Sequence, residues 1–421
     1  MSDPSELLDE FPEKSRKQLQ AMWQGLPAPL QTELESWVPL LPGDVKLWRM
    51  LVGMALEQFK IVAGDKHTVA IVGPANAGKS TLYNQLVRAP ADRALVSPVP
   101  GTTRQNQAAD AGLFSVVDTP GADAVGQVGA DEKARALNAA AAADFLVVLF
   151  DAGPGIRRGE QELYAEFAAL EKPMLVVLNK IDLVRRDEKK VVERAAVNLG
   201  LEPGQVVPIS AKDGTNVERV LVAIAKTEPE IVAALAKALP EYRWKLAWSA
   251  ITGAASTAAV IALAPLPILD VIPLLAIQSA LVLSIARIYQ YDITFKRARE
   301  LVVTFGLGFL GRTLFQELSK LGGPPGWLLA AAIASSTTVV MGYAAMLWFE
   351  RGERLTGETL KQVTKSVTGY LVDSLRGLGR SKPTKQGLQE RIAAVLESAP
   401  IADRGVIDSE AGLKQDEGPS T

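Results

Sequence analysis

Gly73-Pro74-Ala75-Asn76-Ala77-Gly78-Lys79-Ser80-Thr81 decides how this chain is read. Before it stands Thr68-Val69-Ala70-Ile71-Val72, an apolar run of strand character. After it comes Leu82-Tyr83-Asn84-Gln85-Leu86-Val87, with helical spacing. A glycine loop between a strand and a helix is the setting in which this pattern, a P-loop, cradles phosphate. Glycines at 73 and 78 let the backbone curl so that successive N–H groups turn inward, with the positive end of the helix behind them. Lys79 reaches the β- and γ-phosphates, the Ser80 hydroxyl suits Mg²⁺, and Ala77 and Thr81 complete the cradle.

Outward from that loop, residues 66 to 227 alternate apolar strands with helical patterns, the signature of a doubly wound α/β domain. The expected strands are 68 to 73, 113 to 118, 144 to 151, 174 to 179 and 205 to 210. Helices are expected near 80 to 88, 131 to 143, 158 to 171, 187 to 199 and 216 to 226. Ligands in such sheets bind at the carboxyl ends of the strands, and the further motifs fall there. Val116-Val117-Asp118-Thr119-Pro120-Gly121 places a carboxylate for Mg²⁺ and a glycine amide for the γ-phosphate. Val99-Pro100-Gly101-Thr102-Thr103-Arg104 offers a threonine hydroxyl to the same metal. Asn179-Lys180-Ile181-Asp182 ends the run 174 to 178. Asp182 can accept the N1 and N2 donors of guanine, which adenine lacks, and the Lys180 stem can lie along the ring. Ser210-Ala211-Lys212 follows the fifth strand and brings the Ala211 N–H toward the guanine O6, so the expected nucleotide is GTP or GDP.

With these boxes in order, residues 68 to 227 resemble the Era-like GTPases. The resemblance implies a GTP-hydrolysing switch with Mg²⁺ held by Ser80, Asp118 and Thr103, Thr102 being the near competitor. Ras-like enzymes carry a water-orienting glutamine directly after Asp-x-x-Gly, and this chain has Ala122 there. Asn76 offers a substitute, since the resemblance implies that an asparagine at this position helps hold K⁺, with pairing of two G domains completing the site. The plain alternative is that Asn76 is a turn residue.

The chain has 421 residues, enough for two or three domains, and a net charge of −2. That balance does not mark a nucleic-acid binder, and none is expected as a partner. The absence of cysteine excludes disulfides and thiolate chemistry. Met1 to Lys17 is acidic and polar, without the apolar core of a secretory signal. A helical N-terminal segment is expected over 1 to 65, with an amphipathic helix from 44 to 62. His67, the single histidine, precedes the first strand and is expected at the surface; Arg157-Arg158 and Arg185-Arg186 are expected on solvated faces.

After Lys226 the chain changes character, and a second, all-α apolar domain is expected over 228 to 400, with a disordered tail from 401. Leu246 to Leu269 runs 24 residues without a charge, Val271 to Ala286 is again uncharged, and Trp327 to Phe349 adds 23 more. About 20 apolar residues span a hydrocarbon core, so lipid contact is expected through 246–291 and 327–349. Tyr242, Trp244 and Lys245 at one end, and Arg287, Tyr289 and Tyr291 at the other, suit a membrane interface. Against this, residues 246 to 264 are rich in Ala, Gly, Ser and Thr, which also suits a close-packed soluble core. The run Pro265-Leu266-Pro267-Ile268-Leu269-Asp270 resembles a helical module that follows Era-like G domains in bacteria, which implies membrane association. The reading is a GTP-hydrolysing switch at the cytoplasmic face of a membrane. The alternative is a soluble Era-like GTPase acting in ribosome assembly or RNA modification.

Overall fold

The computed structural model describes residues 59–62, 64, 66–87, 107–109, 113–118, 127–263, 271–291, 325–352, 355–376 and 383–399, with single positions at 293, 298 and 302. The chain divides into two compact units, one of Gly64–Tyr242 and one of the residues flanking it. The helix expected from 44 to 62, apart from its last turn, lies outside the described residues. So do Thr102, Thr103, Gly121, Ala122, most of 295–320 and the tail.

In Gly64–Tyr242 the elements run β1 (Val69–Gly73), α1 (Lys79–Leu86), β2 (Gln107–Ala109), β3 (Phe114–Asp118), α2 (Gln127–Ala142) and β4 (Phe145–Asp151). Then come α3 (Arg158–Ala168), β5 (Met174–Asn179), α4 (Glu188–Leu199), β6 (Val206–Pro208), α5 (Val217–Thr227) and α6 (Val232–Ala238). The six strands form one sheet in the order β2-β3-β1-β4-β5-β6, parallel except for β2 against β3. Helices cover both faces, so β1 is buried throughout and β4 and β5 nearly so, which explains their unbroken apolar runs. β2, only Gln-Ala-Ala, carries no β-branched or aromatic residue and gave no signal in the sequence. The chain leaves β1 toward β2 and β3 on one side and crosses from β3 to β4 on the other, so the carboxyl end of β1 is the topological switch point, where ligands of open α/β sheets bind.

The edge where β1 begins is pinned by Asp144. Its Oδ2 accepts the His67 amide at 3.0 Å, the Thr68 amide at 3.0 Å and the Thr68 hydroxyl at 2.7 Å. Burial pushes this carboxyl up, but those donors together with Lys172 outweigh it and hold the group below the usual carboxylate range. His67 itself is exposed, as its position before the strand suggests.

The second unit contains α7 (Arg243–Ile261), α8 (Val271–Ile288), α9 (Gly326–Arg351), α10 (Gly357–Leu375) and α11 (Lys385–Ser398). α9 packs against α7, α8 and α10, and α11 packs on α7 and α10. Three of four consecutive buried hydroxyls on α9 tie these neighbours together. Ser335 donates to the Ala255 carbonyl of α7 at 2.9 Å, Ser336 meets Thr368 of α10 at 2.6 Å, and Gln278 of α8 donates to Thr338 at 3.4 Å. Thr337 turns back to the Ile333 carbonyl of its own helix at 2.9 Å. At Gly342 the helices nearly touch: a Cβ there would stand 2.4 Å from Ile251 Cγ1 and 3.2 Å from Leu281 Cδ2.

Among the described residues α9 alone is long and apolar enough to cross a membrane, and 94% of its apolar stretch is buried inside the protein. The expected interface belt is corrected at Trp244. Its ring is buried, stacked 6.3 Å from Trp248 and edge-on 6.2 Å from Tyr343, so it serves the bundle interior. Tyr289 is buried as well, while Tyr291 is exposed.

Candidate nucleotide-binding site

The loop joining β1 to α1 curls because three of its residues take left-handed backbone: Gly73 at φ 144°, Asn76 at 63° and Gly78 at 95°. Gly73 has no alternative, since a Cβ there would lie 2.2 Å from the Leu149 carbonyl oxygen of β4. At Gly78 a Cβ would lie 2.3 Å from Asn179 Nδ2. Asparagine is among the few side-chain-bearing residues that tolerate this conformation, so the exposed Asn76 is explained as a turn residue by its backbone alone. Lys79 is buried, and its ammonium donates to the Gly73 and Pro74 carbonyls at 2.7 Å each. A lysine buried in a ring of loop backbone is where a phosphate-binding lysine has to stand. Ser80 and Thr81 follow in the first turn of α1, both half-buried, and Ala77 is buried.

Asn179, at the end of β5, joins three of the motifs. Its Nδ2 donates to the Ala77 carbonyl at 2.8 Å and its Oδ1 accepts the Ala211 amide at 2.9 Å. The side chain is 2% exposed, so the donor and the acceptor of one amide are both satisfied across 102 and 32 residues of sequence. The Ala211 N–H, expected to face guanine O6, is thus directed at Asn179, because an unpaired buried carbonyl oxygen is costly. Ser210 donates its hydroxyl to Asp182 Oδ1 at 2.9 Å, which orients the carboxylate and leaves acceptor capacity on Oδ2.

Two ion pairs frame this pocket. Arg185 donates to Asp213 at 2.8 Å, linking the turn after Asp182 to the loop that carries Ala211 and Lys212. The Thr215 hydroxyl first, then the Thr215 amide and Arg185, hold the Asp213 carboxyl well below the usual carboxylate range. Gln85 of α1 reaches the Lys212 carbonyl at 3.5 Å. Lys180 meets Asp151 at 2.6 Å. The sequence reading missed Asp151, which looked like the end of an apolar strand; its signal was a charged residue closing a strand otherwise buried.

For Mg²⁺ the available chemistry is oxygen only, a hydroxyl and a carboxylate, which suits a hard cation that keeps water and phosphate in its shell. Asp118 ends β3 directly opposite Gly73 in the sheet register, so its backbone stands beside the start of the loop. Ser80 is on the loop's far side, and both positions fit the group. Thr103 and Gly121 lie outside the described residues.

Comparison with known proteins finds similarity in both parts of the chain. The family described as 50S ribosome-binding GTPase matches residues 68–180, and a domain of unknown function (DUF697) matches 229–372. GTPase Der of Thermotoga petrophila is 30% identical over 237 residues, 53% of this chain and 53% of Der. The tRNA modification GTPase MnmE of Synechocystis is 37% identical over 164 residues, 35% of this chain and 34% of MnmE. The chain therefore spans about half the length of Der and a third of MnmE. Among solved structures, Era of Aquifex aeolicus bound to GDP and an aluminium fluoride is 27% identical, with a TM-score of 0.33 over 45% of this chain and 67% of that one. The first domain of this chain is thus similar to the G domains of Era-like GTPases over residues 68–180, and a DUF697 match follows it at 229–372.

Proposed function

We propose that the chain is a GTP-hydrolysing switch in which a G domain, residues 66–227, between a helical N-terminal segment (1–65) and an apolar helical domain (228–400), passes its nucleotide state to the latter. The observation that carries this is Asn179, which binds the phosphate loop to the base-reading loops through one buried amide. Phosphate and base are then read by one rigid constellation, and the lone carboxylate of Asp182 selects guanine. Catalysis rests on positioning and charge: the loop amides of Gly73–Ser80 and the Lys79 ammonium gather the negative charge of the transferring phosphoryl group while water attacks in line. Ser80, Asp118 and Thr103 would hold Mg²⁺, which would supply neutralisation of that charge. Gly121 would sense the γ-phosphate, and the segments near 89–107 and 119–131 would pass the nucleotide state on.

With Ala122 where a water-orienting glutamine stands in Ras-like enzymes, a monovalent cation near Asn76, completed by a second G domain, is the proposed replacement. The test is turnover by the purified chain with Mg²⁺ and either K⁺ or Na⁺. Hydrolysis of GTP but not ATP, faster in K⁺, supports both parts. Equal rates in the two salts remove the cation, and ATP preference removes the switch.

The helical domain is placed at the cytoplasmic face of a membrane, in contact with lipid through 246–291 and 327–349. The length and composition of α9 support this. A second reading, a soluble GTPase of ribosome assembly, is favoured by the ribosome-binding description of the matched family and by the burial of α9 among its own neighbours. Co-sedimentation of the chain with ribosomal particles instead of membranes selects it.

A further inference from the structure

We infer that Asp151 is a positioning residue for guanine recognition: it anchors Lys180 so that the lysine stem forms a fixed wall of the base slot. This rests on the guanine reading above. Asp151 closes β4 in register with Asn179 of β5, and the ladder continues past the strand end where the Ala152 amide donates to the Asn179 carbonyl at 2.8 Å. The next residue, Lys180, takes left-handed backbone at φ 66°, which turns the chain out of the sheet. The Lys180 ammonium stands 2.6 Å from Asp151 Oδ2, while Asp151 Oδ1 accepts the Gly153 amide at 2.8 Å. Each carboxylate oxygen therefore has a separate duty, one on the backbone of its own turn and one on the lysine.

The pair is half shielded, with side chains 31% and 20% exposed, so it is screened less than a surface bridge. A free lysine stem samples many rotamers, and freezing it when a base arrives would be charged against affinity. Anchoring its far end beforehand removes most of that cost. In the turn behind it, a Cβ on Gly153 would lie 3.3 Å from Asp151 Oδ1 and 3.8 Å from Leu183 Cδ1, next to Asp182. The anchor also neutralises the ammonium locally, so its effect belongs to the base and not to the phosphates. Of Lys79 and Lys180, only Lys79 then answers to the phosphate chain.

The experiment measures GDP, GTP and ADP affinities of the full chain as wild type, Asp151→Asn, Lys180→Met and the double variant. Asparagine keeps an acceptor for the Gly153 amide and loses the ion pair; methionine keeps an apolar stem and loses the ammonium. Asp151→Asn is expected to weaken GDP and GTP by the same factor, roughly 3- to 10-fold. In the Lys180→Met background the same change is expected to have no effect, which a purely structural role for Asp151 does not produce. Unchanged affinity in Asp151→Asn overturns the inference, as does an equal loss in both backgrounds, which assigns Asp151 to its own turn. A wild-type chain that binds ADP as tightly as GDP overturns the guanine reading and this inference with it.

Discussion

Asp182 accepts one hydrogen bond from Ser210 at 2.9 Å and keeps the rest of its capacity for a ligand. Guanine presents two donors on that edge, whereas xanthine presents one donor and one acceptor, the pattern an asparagine amide matches. Asp182→Asn is therefore expected to lower GTP affinity about 100-fold or more and to raise affinity for xanthosine triphosphate, measured by equilibrium binding. Asp144 makes a prediction of a different kind. Its folded carboxyl titrates below its ordinary value, so it stabilises the fold above the unfolded value of about 4, and this contribution is lost as pH falls through the folded one. Asp144→Asn should cost about 1–2 kcal/mol in denaturant unfolding at pH 7, with the gap to wild type closing as the pH is taken below about 4.

Elements are held at their crossings by a few positions of exact size. Gly73→Ala puts a Cβ against the Leu149 carbonyl oxygen, on backbone that has no room to yield. The expected loss is on the order of 3 kcal/mol or failure to fold, read from expression and thermal unfolding. In the helical unit, Ser336 and Thr368 share a buried hydrogen bond of 2.6 Å between α9 and α10. Ser336→Ala alone should cost about 1 kcal/mol, since the Thr368 hydroxyl keeps the Thr364 carbonyl at 2.6 Å and loses only the inter-helix bond, and adding Thr368→Val should cost little further. Urea titrations of both variants check this. The helical character expected of 228–400 corresponds here to α10 at Gly357–Leu375 and α11 at Lys385–Ser398. Periodicity and caps such as Thr356 and Thr384 carry that information locally, whereas β2 lacked any such mark.

For the whole molecule, the apolar second half has two physical solutions, a bundle closed on itself or a hairpin in lipid. Uncharged runs of 24, 16 and 23 residues satisfy either. In the structure α9 is enclosed by its neighbours and Trp244 packs inward, so entry into lipid requires the bundle to open. The tether expects the chain in the membrane pellet after carbonate washing and its release by detergent. Release by carbonate overturns lipid insertion and leaves a closed bundle.

Residue types and their order, by themselves, determined the alternating α/β pattern of 66–227, the strand, glycine loop and helix around Lys79, and the carboxylate suited to guanine. These are local properties: periodicity, backbone freedom and donor inventory are written within a few neighbouring positions. Tertiary structure alone decided that the Ala211 amide serves Asn179, that Asp151 takes Lys180, and that Trp244 lies inside. Each of these joins groups that only the sheet register or the helix packing brings together. Burial then selects among the partners within reach, because a polar group taken out of water has to be satisfied by whatever the fold has placed beside it.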